Sequence, residues 1–377
     1  QKGMTTGTWE YNIKNTVELF SGYLQIQRIG YQANPSLNKS FAYPGAIEPL
    51  LKKETAINGF APRIIADGLV SHKDNSSGAA IFGIDPAAER SISRFQQRVH
   101  EGKFFESGSR NDIVMGYKLL ENLKAHVGDT LVLLAQGYDG VMGNLKFRIC
   151  GSVKLGIPEF DATSVFMDLG AAQELLAMEG RVNVVALSVA DMGTIGKARK
   201  AIDQSLKQAN LTNVTVLPWD EVIPELKEAR EFDSIGDWFF FGILVLIAAF
   251  GILNTVLMST TERFREFGIS LAIGMPAKDL VILVFLETIF IAFIGIALGS
   301  FIGYMLNIYF ALHPILLSGD FSKMYEEYGF LPQIVASDSI ALALNISGII
   351  FLISCVACLY PAYRVAKLEP LKGIRYT

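Results

Sequence analysis

The sequence predicts an α+β domain in water joined to an α-helical domain in a membrane, and three observations predict this class. Hydrophobic residues make up 51% and charged residues 19% of the 377 positions, which is too apolar for an ordinary soluble chain and too polar for one wholly inside a membrane. Short strand and helix patterns alternate irregularly over residues 1–235. Three long apolar segments follow, each long enough to cross ~30 Å of hydrocarbon as a helix.

The aqueous region, residues 1–217, is predicted to be a domain of mixed strands and helices. Strands are predicted where short apolar or alternating runs lie between Gly, Pro, Asn and Ser residues, and helices where apolar residues recur at helical spacing. The predicted strands are 22–29, 64–70, 79–84, 112–115, 130–134, 146–153, 165–168, 182–189 and 214–217, and the predicted helices are 46–54, 117–125, 171–178 and 194–208. Because no regular strand–helix–strand repeat occurs, α+β is preferred to a doubly wound sheet.

Residues 218–236 form a charged stretch of helical character that runs into Trp238 without a loop-like linker. This predicts a stalk helix that joins the aqueous domain to the first apolar segment. The alternative is a surface helix followed by a hinge at Gly236.

The transmembrane domain is predicted over 237–377, with spans near 238–258, 280–310 and 340–360. The second span is longer than one bilayer requires, so we expect it to tilt or extend. It carries Gly295, Gly299 and Gly303, four residues apart, and such a stripe lets a second helix approach closely. That helix would belong to this chain or to another; the alternative is that the glycines are merely tolerated.

The distribution of basic residues predicts the orientation of the spans. The segment 259–279 between the first two spans has three, the tail 361–377 has four, and the loop 311–339 has one. Because short cytoplasmic segments are rich in Lys and Arg, the first segment and the tail are predicted to be cytoplasmic, and residues 1–235 to lie outside. Residues 1–10 have no signal-peptide features, so we expect a fourth, N-terminal span that is missing from the chain shown.

The segment 259–279, which we call the elbow, is the candidate site. Phe264, Phe267 and Leu271 are spaced so that they share one apolar face of a short helix. That face is predicted to enter a groove of a partner protein while nearby charged residues set the register at its rim. The alternative is a helix lying on lipid, which the glutamates disfavour because the cytoplasmic leaflet is anionic.

Glu287 is the one charged residue inside the second span. Intramembrane carboxylates are costly and often functional. Because Glu287 lies only about two helical turns after Asp279, we expect it to be wetted near the cytoplasmic face or bonded to the elbow, in a structural or coupling role. Ion translocation is the alternative.

Sequence motifs for catalysis are absent. The chain contains no G-x-x-x-x-G-K-[ST], H-E-x-x-H or G-x-S-x-G sequence, and its four histidines show no ligand spacing. Cys355 and Cys358 have C-x-x-C spacing but lie in an apolar run, where thiols usually act as small hydrophobic residues rather than redox or zinc ligands. We therefore expect no enzyme activity and no bound metal. We also expect no nucleic-acid binding, since the net charge is −4.

Two segments of the helical region resemble a known family. Residues 261–287 (TERFREFGISLAIGMPAKDLVILVFLE) are similar to the elbow of the MacB/FtsX/LolC-type (type VII) ABC transporter permeases, and residues 360–374 (YPAYRVAKLEPLKGI), with Pro361, Arg364 and Pro370, resemble the closing motif of that family. Residues 22–27, 102–105, 116–128 and 160–169 resemble the MacB-like extracytoplasmic core domain.

The resemblance implies a mechanism and a set of partners. It implies two ABC ATPase subunits that bind ATP and Mg, a second permease copy or paralogue, four spans, and ATP-driven movement of the periplasmic domain. The elbow would be the coupling helix on the ATPase. The residues implied in this coupling are Glu262, Arg263, Phe264, Arg265, Glu266, Phe267, Gly268 and Gly274.

The function implied is that of a permease subunit in the bacterial inner membrane, with its large domain in the periplasm and its C-terminus in the cytoplasm. Its task would be efflux or the release of lipoprotein or lipid toward the outer membrane, with membrane lipid and a periplasmic adaptor or lipoprotein chaperone as further partners. The alternative is an FtsX-like regulatory module that activates an extracytoplasmic enzyme without transporting a substrate. The resemblance does not identify the substrate.

Overall fold

The computed structural model describes residues 2–327 and 331–367. The chain divides into two compact units. One comprises Tyr11–Glu228 and Leu317–Pro332, and the other comprises Gln1–Glu10, Ala229–Leu316 and Gln333–Thr377. This division differs from the predicted boundary at 217 and from the predicted assignment of residues 1–10 to the outer domain.

The first unit has the predicted α+β character, and we call it the outer domain. Helix α1 (Lys2–Thr16) and a π-helical turn (Val17–Ser21) lead into its sheet. The strands are β1 (Leu24–Arg28), β2 (Phe41–Ala42), β3 (Gly59–His72), β4 (Asn75–Ile84), β5 (Val99–Gly102), β6 (Asp112–Gly116), β7 (Thr130–Gln136), β8 (Met142–Val153), β9 (Ser164–Asp168), β10 (Arg181–Val182), β11 (Val184–Ser188) and β12 (Val214–Pro218).

Seven short helices lie between these strands or follow them. They are α2 (Ile47–Leu51), α3 (Pro86–Glu89), α4 (Tyr117–Leu123), α5 (Pro158–Thr163), α6 (Leu169–Leu175), α7 (Ile195–Gln208) and α8 (Trp219–Val222). Each strand and helix predicted in this region overlaps an observed one. The pattern did not predict α3, α5 or the short strands β2 and β5, and its single strand 182–189 covers part of β10 together with β11.

Ten strands form one mixed sheet in the order β12-β1-β11-β3-β4-β9-β6-β8-β5, and β7 pairs with both β3 and β8. The pairs β4–β9 and β6–β8 are parallel, whereas the other pairs are antiparallel. Because β7 joins β3 to β8, the path β3-β4-β9-β6-β8-β7 returns to β3. These strands therefore close on themselves, which removes the open edges that invite aggregation.

Phenylalanine rings fill one end of this core. The rings of Phe82 and Phe166 stack with centroids 5.3 Å apart, and Phe95 stacks on Phe166 at 4.8 Å. Beside them Arg63 and Glu89 form a fully buried ion pair, and the guanidinium of Arg63 lies 4.4 Å from the ring centroid of Phe20. Large apolar side chains and one paired charge thus hold the outer domain together.

The second unit consists mainly of long helices, and we call it the helical unit. Helices α9 (Pro224–Glu262), α11 (Ala277–Leu312) and α13 (Ile340–Ala366) are long and apolar enough to cross a membrane, and the short α10 (Phe264–Ala272) lies between α9 and α11. Helix α9 continues through Gly236, so the alternative hinge at that glycine is not a break in the helix. Within the predicted stalk, residues 218–236, the structure has two helices, since α8 ends at Val222 and α9 begins at Pro224.

The predicted polar loop after the second span contains regular structure. The segment holds β13 (Ile315–Leu316), α12 (Asp320–Glu327) and β14 (Gln333–Ile334), and the two strands pair antiparallel. The beginning of α1 packs on the residues that follow β14. Thr8 Oγ1 and the backbone of Val335 exchange two hydrogen bonds of 3.1 Å, and Gly7 leaves space for the backbone of Ala336 and Ser337.

Candidate functional site: the elbow around α10

The elbow is a short helix between two long ones. Helix α9 ends at Glu262, Arg263 leaves the helical conformation with φ −99° and ψ 8°, and α10 begins at Phe264. A single non-helical residue is enough to change the direction of the chain. The predicted short helix is therefore present.

The apolar face of α10 is covered by this same chain. Phe264 and Phe267 are 8% and 3% exposed, and they pack with Leu280 and Val284 of α11 and Val365 of α13. The amphipathic spacing predicts that this face enters a groove of a partner protein, whereas in the structure α11 and α13 of the same chain cover it. The rings serve to fasten α10 to α11 and α13, and the buried Gly268 lies on the same side.

Charged residues occupy the uncovered side of the elbow. Glu262, Arg265 and Glu266 are exposed. The exposed side of α10 therefore carries both positive and negative charges, while its opposite side packs on α11 and α13. Such an arrangement suits contact with a protein surface of mixed charge better than contact with an anionic lipid surface.

Arg263 connects the elbow to Glu287. Its Nη1 donates to both carboxylate oxygens of Glu287, at 3.0 and 2.8 Å, and its Nε donates to Glu266 at 3.2 Å. The hydrogen bonds to Glu266, and then those to Glu287, raise the pKa of the Arg263 guanidinium. The expectation that Glu287 is bonded to the elbow is confirmed, and Arg263 is correspondingly less available to a partner than Arg265.

Gly274 ends the elbow. Its φ of +108° lies in the region that favours glycine. The N–H of Gly274 donates to the carbonyl of Leu271, and the N–H of Met275 donates to that of Ser270, each at 3.1 Å. This pair of bonds is a Schellman motif. A side chain at Gly274 would strain this turn, so the glycine is required by the backbone whether or not it contacts a partner.

The glycine stripe of α11 has an open face. At Gly295, Gly299 and Gly303 an added Cβ would meet, within 4 Å, no atom of the described residues apart from the adjoining backbone of α11 itself. The predicted packing of another helix on these glycines is thus not made by the described part of this chain. Gly295 and Gly299 border a cavity of about 580 Å³ between α9, α11 and α13, and Arg263 and Glu287 line the same cavity.

The closing motif of the tail is only partly described. Pro361 is buried within α13, and Arg364 is exposed in its last turn, where the guanidinium lies 6.0 Å from the ring centroid of Tyr360. Pro370 lies outside the described residues. Val365, four residues after Pro361, packs on the rings of the elbow from α13, and no pattern in the sequence predicted this contact. The contribution of α11 could have been predicted from its spacing. Leu280, Val284 and Thr288 recur every four residues, so they share one helix face, and this face is buried.

The described residues contain no group of three or more His, Cys, Asp and Glu side chains placed to hold a metal ion. Cys150 is half-buried in the outer domain, and burial raises the pKa of its thiol to about 11. It is therefore protonated at neutral pH and poorly suited to nucleophilic chemistry.

Two family descriptions match this chain. "FtsX-like permease C-terminal" matches residues 238–370, which include the elbow, and "MacB-like periplasmic core domain" matches residues 4–205, more than half of the chain. The chain belongs to the MacB/FtsX/LolC-type permeases. Its outer domain is a MacB-like periplasmic domain with α+β structure, and its long helices correspond to the membrane part of this permease family.

Individual relatives of this permease agree with the family. The lipoprotein-releasing system transmembrane protein LolC of Neisseria meningitidis serogroup B is 25% identical over 329 residues, which are 84% of this chain and 77% of LolC. The macrolide export ATP-binding/permease protein MacB 2 of Yersinia pestis bv. Antiqua is 21% identical over 332 residues, which are 86% of this chain and 45% of that relative. The chain thus spans less than half of that relative.

Among solved structures, the periplasmic region of MacB from Actinobacillus actinomycetemcomitans matches with a TM-score of 0.41 and 12% identity, over 58% of this chain and 97% of that one. The family match and the relatives make this chain an ABC transporter permease subunit of the inner membrane.

Proposed function

We propose that this permease converts ATP hydrolysis by a separate ATPase subunit into movement of its periplasmic domain. The observation that carries the proposal is the fastening of α10. Its rings pack on α11 and α13, so a force on α10 would move those helices rather than bend a loop. The exposed Glu262, Arg265 and Glu266 are the surface that the ATPase would contact.

The ion pair between Arg263 and Glu287 fits the same role. It ties the elbow to a point about one turn after Val284, within the apolar part of α11. Motion of the elbow would then reach α11 through both packed rings and a charged hydrogen bond. We propose that the elbow and the C-terminus are cytoplasmic, that two ATPase subunits hold ATP and Mg, and that α9 carries the movement outward as the stalk.

The proposed assembly contains a second permease copy or a paralogue. The open face at Gly295, Gly299 and Gly303 supports this, because close helix contact is what such a stripe permits. We propose a lipid-modified protein or a lipophilic small molecule as cargo, since the names of LolC and MacB refer to lipoprotein release and macrolide export. A periplasmic adaptor or lipoprotein chaperone would receive it.

The experiment reverses one exposed charge of the elbow. Arg265→Glu is expected to reduce co-purification of the co-expressed ATPase subunit and its stimulated ATP hydrolysis by about tenfold or more, because one contact to a charged group contributes about 1.5–3 kcal/mol. Arg265 is preferred to Arg263, whose loss would also release Glu287.

The control is Lys53→Glu, which makes the same charge change at an exposed position of the outer domain. It is expected to leave ATPase binding and hydrolysis unchanged. If Arg265→Glu behaves like this control in both measurements, α10 is not the contact and the proposed coupling is wrong.

A further inference from the structure

The outer domain contains a cavity of about 620 Å³ that the proposed coupling does not use. Its floor is one face of the sheet, where β1, β11 and β3 lie side by side. The π-helical turn and the segments 31–37 and 155–160 contribute to its walls. This volume falls within the range of about 300–1,000 Å³ that is typical of small-molecule sites.

Apolar side chains that a ligand can reach form much of the cavity wall. Six apolar lining residues are only partly buried, so they keep surface available for contact. They are Phe20, Leu37, Ile65, Ile157, Phe160 and Ile223. Because removing such surface from water is favourable, the cavity suits a molecule that is mainly apolar.

The buried amides of the floor, in contrast, are closed to a ligand. Gln25 and Gln27 on β1 are 4% and 2% exposed. Gln27 Nε2 donates to Gln25 Oε1 at 2.8 Å, and Gln25 Nε2 donates to the carbonyl of Ser21 at 2.8 Å. These side chains are directed at one another and at the backbone, so polar recognition of a ligand has to come from the rim.

Asp67 places an accessible charge at the rim. It lies two residues after Ile65 on β3, so both side chains project from the same face of the sheet. Asp67 is exposed, and its carboxylate makes no hydrogen bond or ion pair with the side chains that the structure describes. Among the described residues that line the cavity, it is the one charged side chain.

The sign of this charge narrows the class of ligand. Burial, and then the charge of Asp67, raise the pKa of the Tyr31 hydroxyl in the cavity wall, so this group stays neutral. An anionic head group would meet repulsion from Asp67 and would lose its hydration without gaining a partner. A cation would meet the carboxylate, and aromatic rings in the wall, such as Phe160, attract cations through their faces.

We propose that this cavity is a binding site for a lipophilic amine, whose apolar body covers the partly exposed side chains of the wall and whose ammonium group pairs with the carboxylate of Asp67. The apolar body supplies most of the affinity, and the ion pair orients the ligand, as polar groups usually do in apolar sites. The site does not depend on ATP coupling, because all of its lining residues belong to the outer domain.

The test uses the full-length protein in phosphatidylcholine nanodiscs without nucleotide or ATPase. Two photoreactive probes are compared: a diazirine-bearing long-chain trimethylammonium ion, and its isostere in which carbon replaces the nitrogen, which has the same shape but no charge. Mass spectrometry of the digested protein locates and counts the labels. In the wild type we expect both probes to label peptides that contain cavity residues, and this labelling to saturate.

The ratio of the two affinities is compared between variants, which cancels the unequal partition of the probes into lipid. Asp67→Asn removes the charge at nearly constant shape and is expected to lower the charged-to-uncharged ratio about fivefold, the upper end for an exposed ion pair. Asp74→Asn makes the same change at an exposed carboxylate outside the cavity and is expected to keep the wild-type ratio. Leu37→Trp places a larger ring in the cavity wall and is expected to reduce labelling by both probes.

The result that would overturn the proposal is also specific. It is overturned if labels appear only in α9, α11 and α13, if labelling of the outer domain does not saturate, or if Asp67→Asn keeps the wild-type ratio. If Leu37→Trp fails to fold, the Asp67→Asn ratio decides. A negative result leaves the coupling proposal untouched, because no ATPase takes part, and a positive one does not support it.

Discussion

The outer domain and the helical unit use large apolar residues in opposite ways. Phe166 in the outer domain is fully buried, whereas Phe290 on α11 is 67% exposed. In the most apolar stretches of α9, α11 and α13, only 0%, 17% and 6% of the residues are buried within the chain. The outer domain therefore buries its large apolar side chains within itself, whereas the long helices require lipid or other helices to cover theirs.

The ion pairs of the two regions also differ in burial, with the pair of the outer domain buried and that of the helical unit partly exposed. Arg63 and Glu89 of the outer domain are wholly shielded from solvent, whereas Arg263 and Glu287 keep 38% and 42% of their side chains exposed. Removing one partner of a buried pair leaves an unpaired charge inside the domain, which is very costly. The pair at the elbow is only partly covered by the described residues, so losing one partner there leaves the other charge near solvent rather than inside the fold.

The largest effect expected from this difference comes from one substitution made in both regions. Phe166→Ala removes a ring from the packed core and is expected to lower the free energy of unfolding of the outer domain by about 3–5 kcal/mol. Phe290→Ala removes a ring that the described chain leaves 67% exposed, and should change the stability of the isolated chain by less than about 0.5 kcal/mol.

Hydrogen exchange of the β9 amides in the full-length protein measures the first effect, and exchange of the α11 amides in detergent measures the second. Equal costs at the two positions would mean that another protein segment covers Phe290. The comparison between a self-contained domain and an incomplete one would then fail.

A smaller effect is expected at the proposed contact between the helical unit and a second permease copy. Gly299→Ile is expected to weaken association of permease copies by about tenfold, which is about 1.4 kcal/mol, because a branched side chain keeps apart helices that would otherwise pack closely at the glycines. It should not disturb the single chain, since apart from the adjoining backbone of α11 no described atom lies within 4 Å of a Cβ at this position.

The matched control is Gly348→Ile on α13, which also points into open space but lies outside the stripe. Cross-linking and light scattering in detergent give the oligomeric state of both variants. If Gly348→Ile and Gly299→Ile dissociate the assembly equally, the stripe is not the interface and only the helix propensity of glycine has been measured.

Much of the fold could be predicted from the sequence, and the elbow shows where prediction stopped. The three spans and the strands such as β4 and β9 follow from apolar runs and alternation. The spacing of Phe264 and Phe267 predicts correctly that one face of α10 is covered. It does not say what covers it, because periodicity records burial and not the identity of the neighbour. Val365 lies a hundred residues away, and no local pattern connects the two.

Helix α1 was missed for a different reason. Its residues, KGMTTGTWEYNIKNT, contain Gly and Thr at positions where a surface helix would carry an apolar stripe. Gly3 and Gly7 make way for Asn307 and for the backbone of Ala336 and Ser337. Close tertiary contact therefore overrides a low helix propensity here. The pairing of β7 with both β3 and β8 could not be predicted either, since alternation within a strand does not identify the strands beside it.

The smallest expected effect concerns a surface charge of the outer domain and its dependence on pH. Partial burial of Asp112 would raise the pKa of its carboxyl, but hydrogen bonds from Arg148 and Ser109 outweigh it and hold that pKa below its usual value. The folded state thus favours the ionised form. The resulting stability is fully present above the unfolded pKa of about 3.9 and is lost as the pH falls through the lower folded pKa.

Asp112→Asn is therefore expected to cost about 0.2–1 kcal/mol at pH 7, the usual range for an exposed ion pair, and progressively less below about pH 4. Hydrogen exchange of the β6 and β8 amides, corrected for the intrinsic rate at each pH, measures this difference. Asp74→Asn, at an exposed carboxylate in the β3–β4 turn, should show no such convergence. A cost for Asp112→Asn that stays constant down to pH 3 would show that the side chain acts by shape and neutral hydrogen bonds, because only the ionised pair is sensitive to acid.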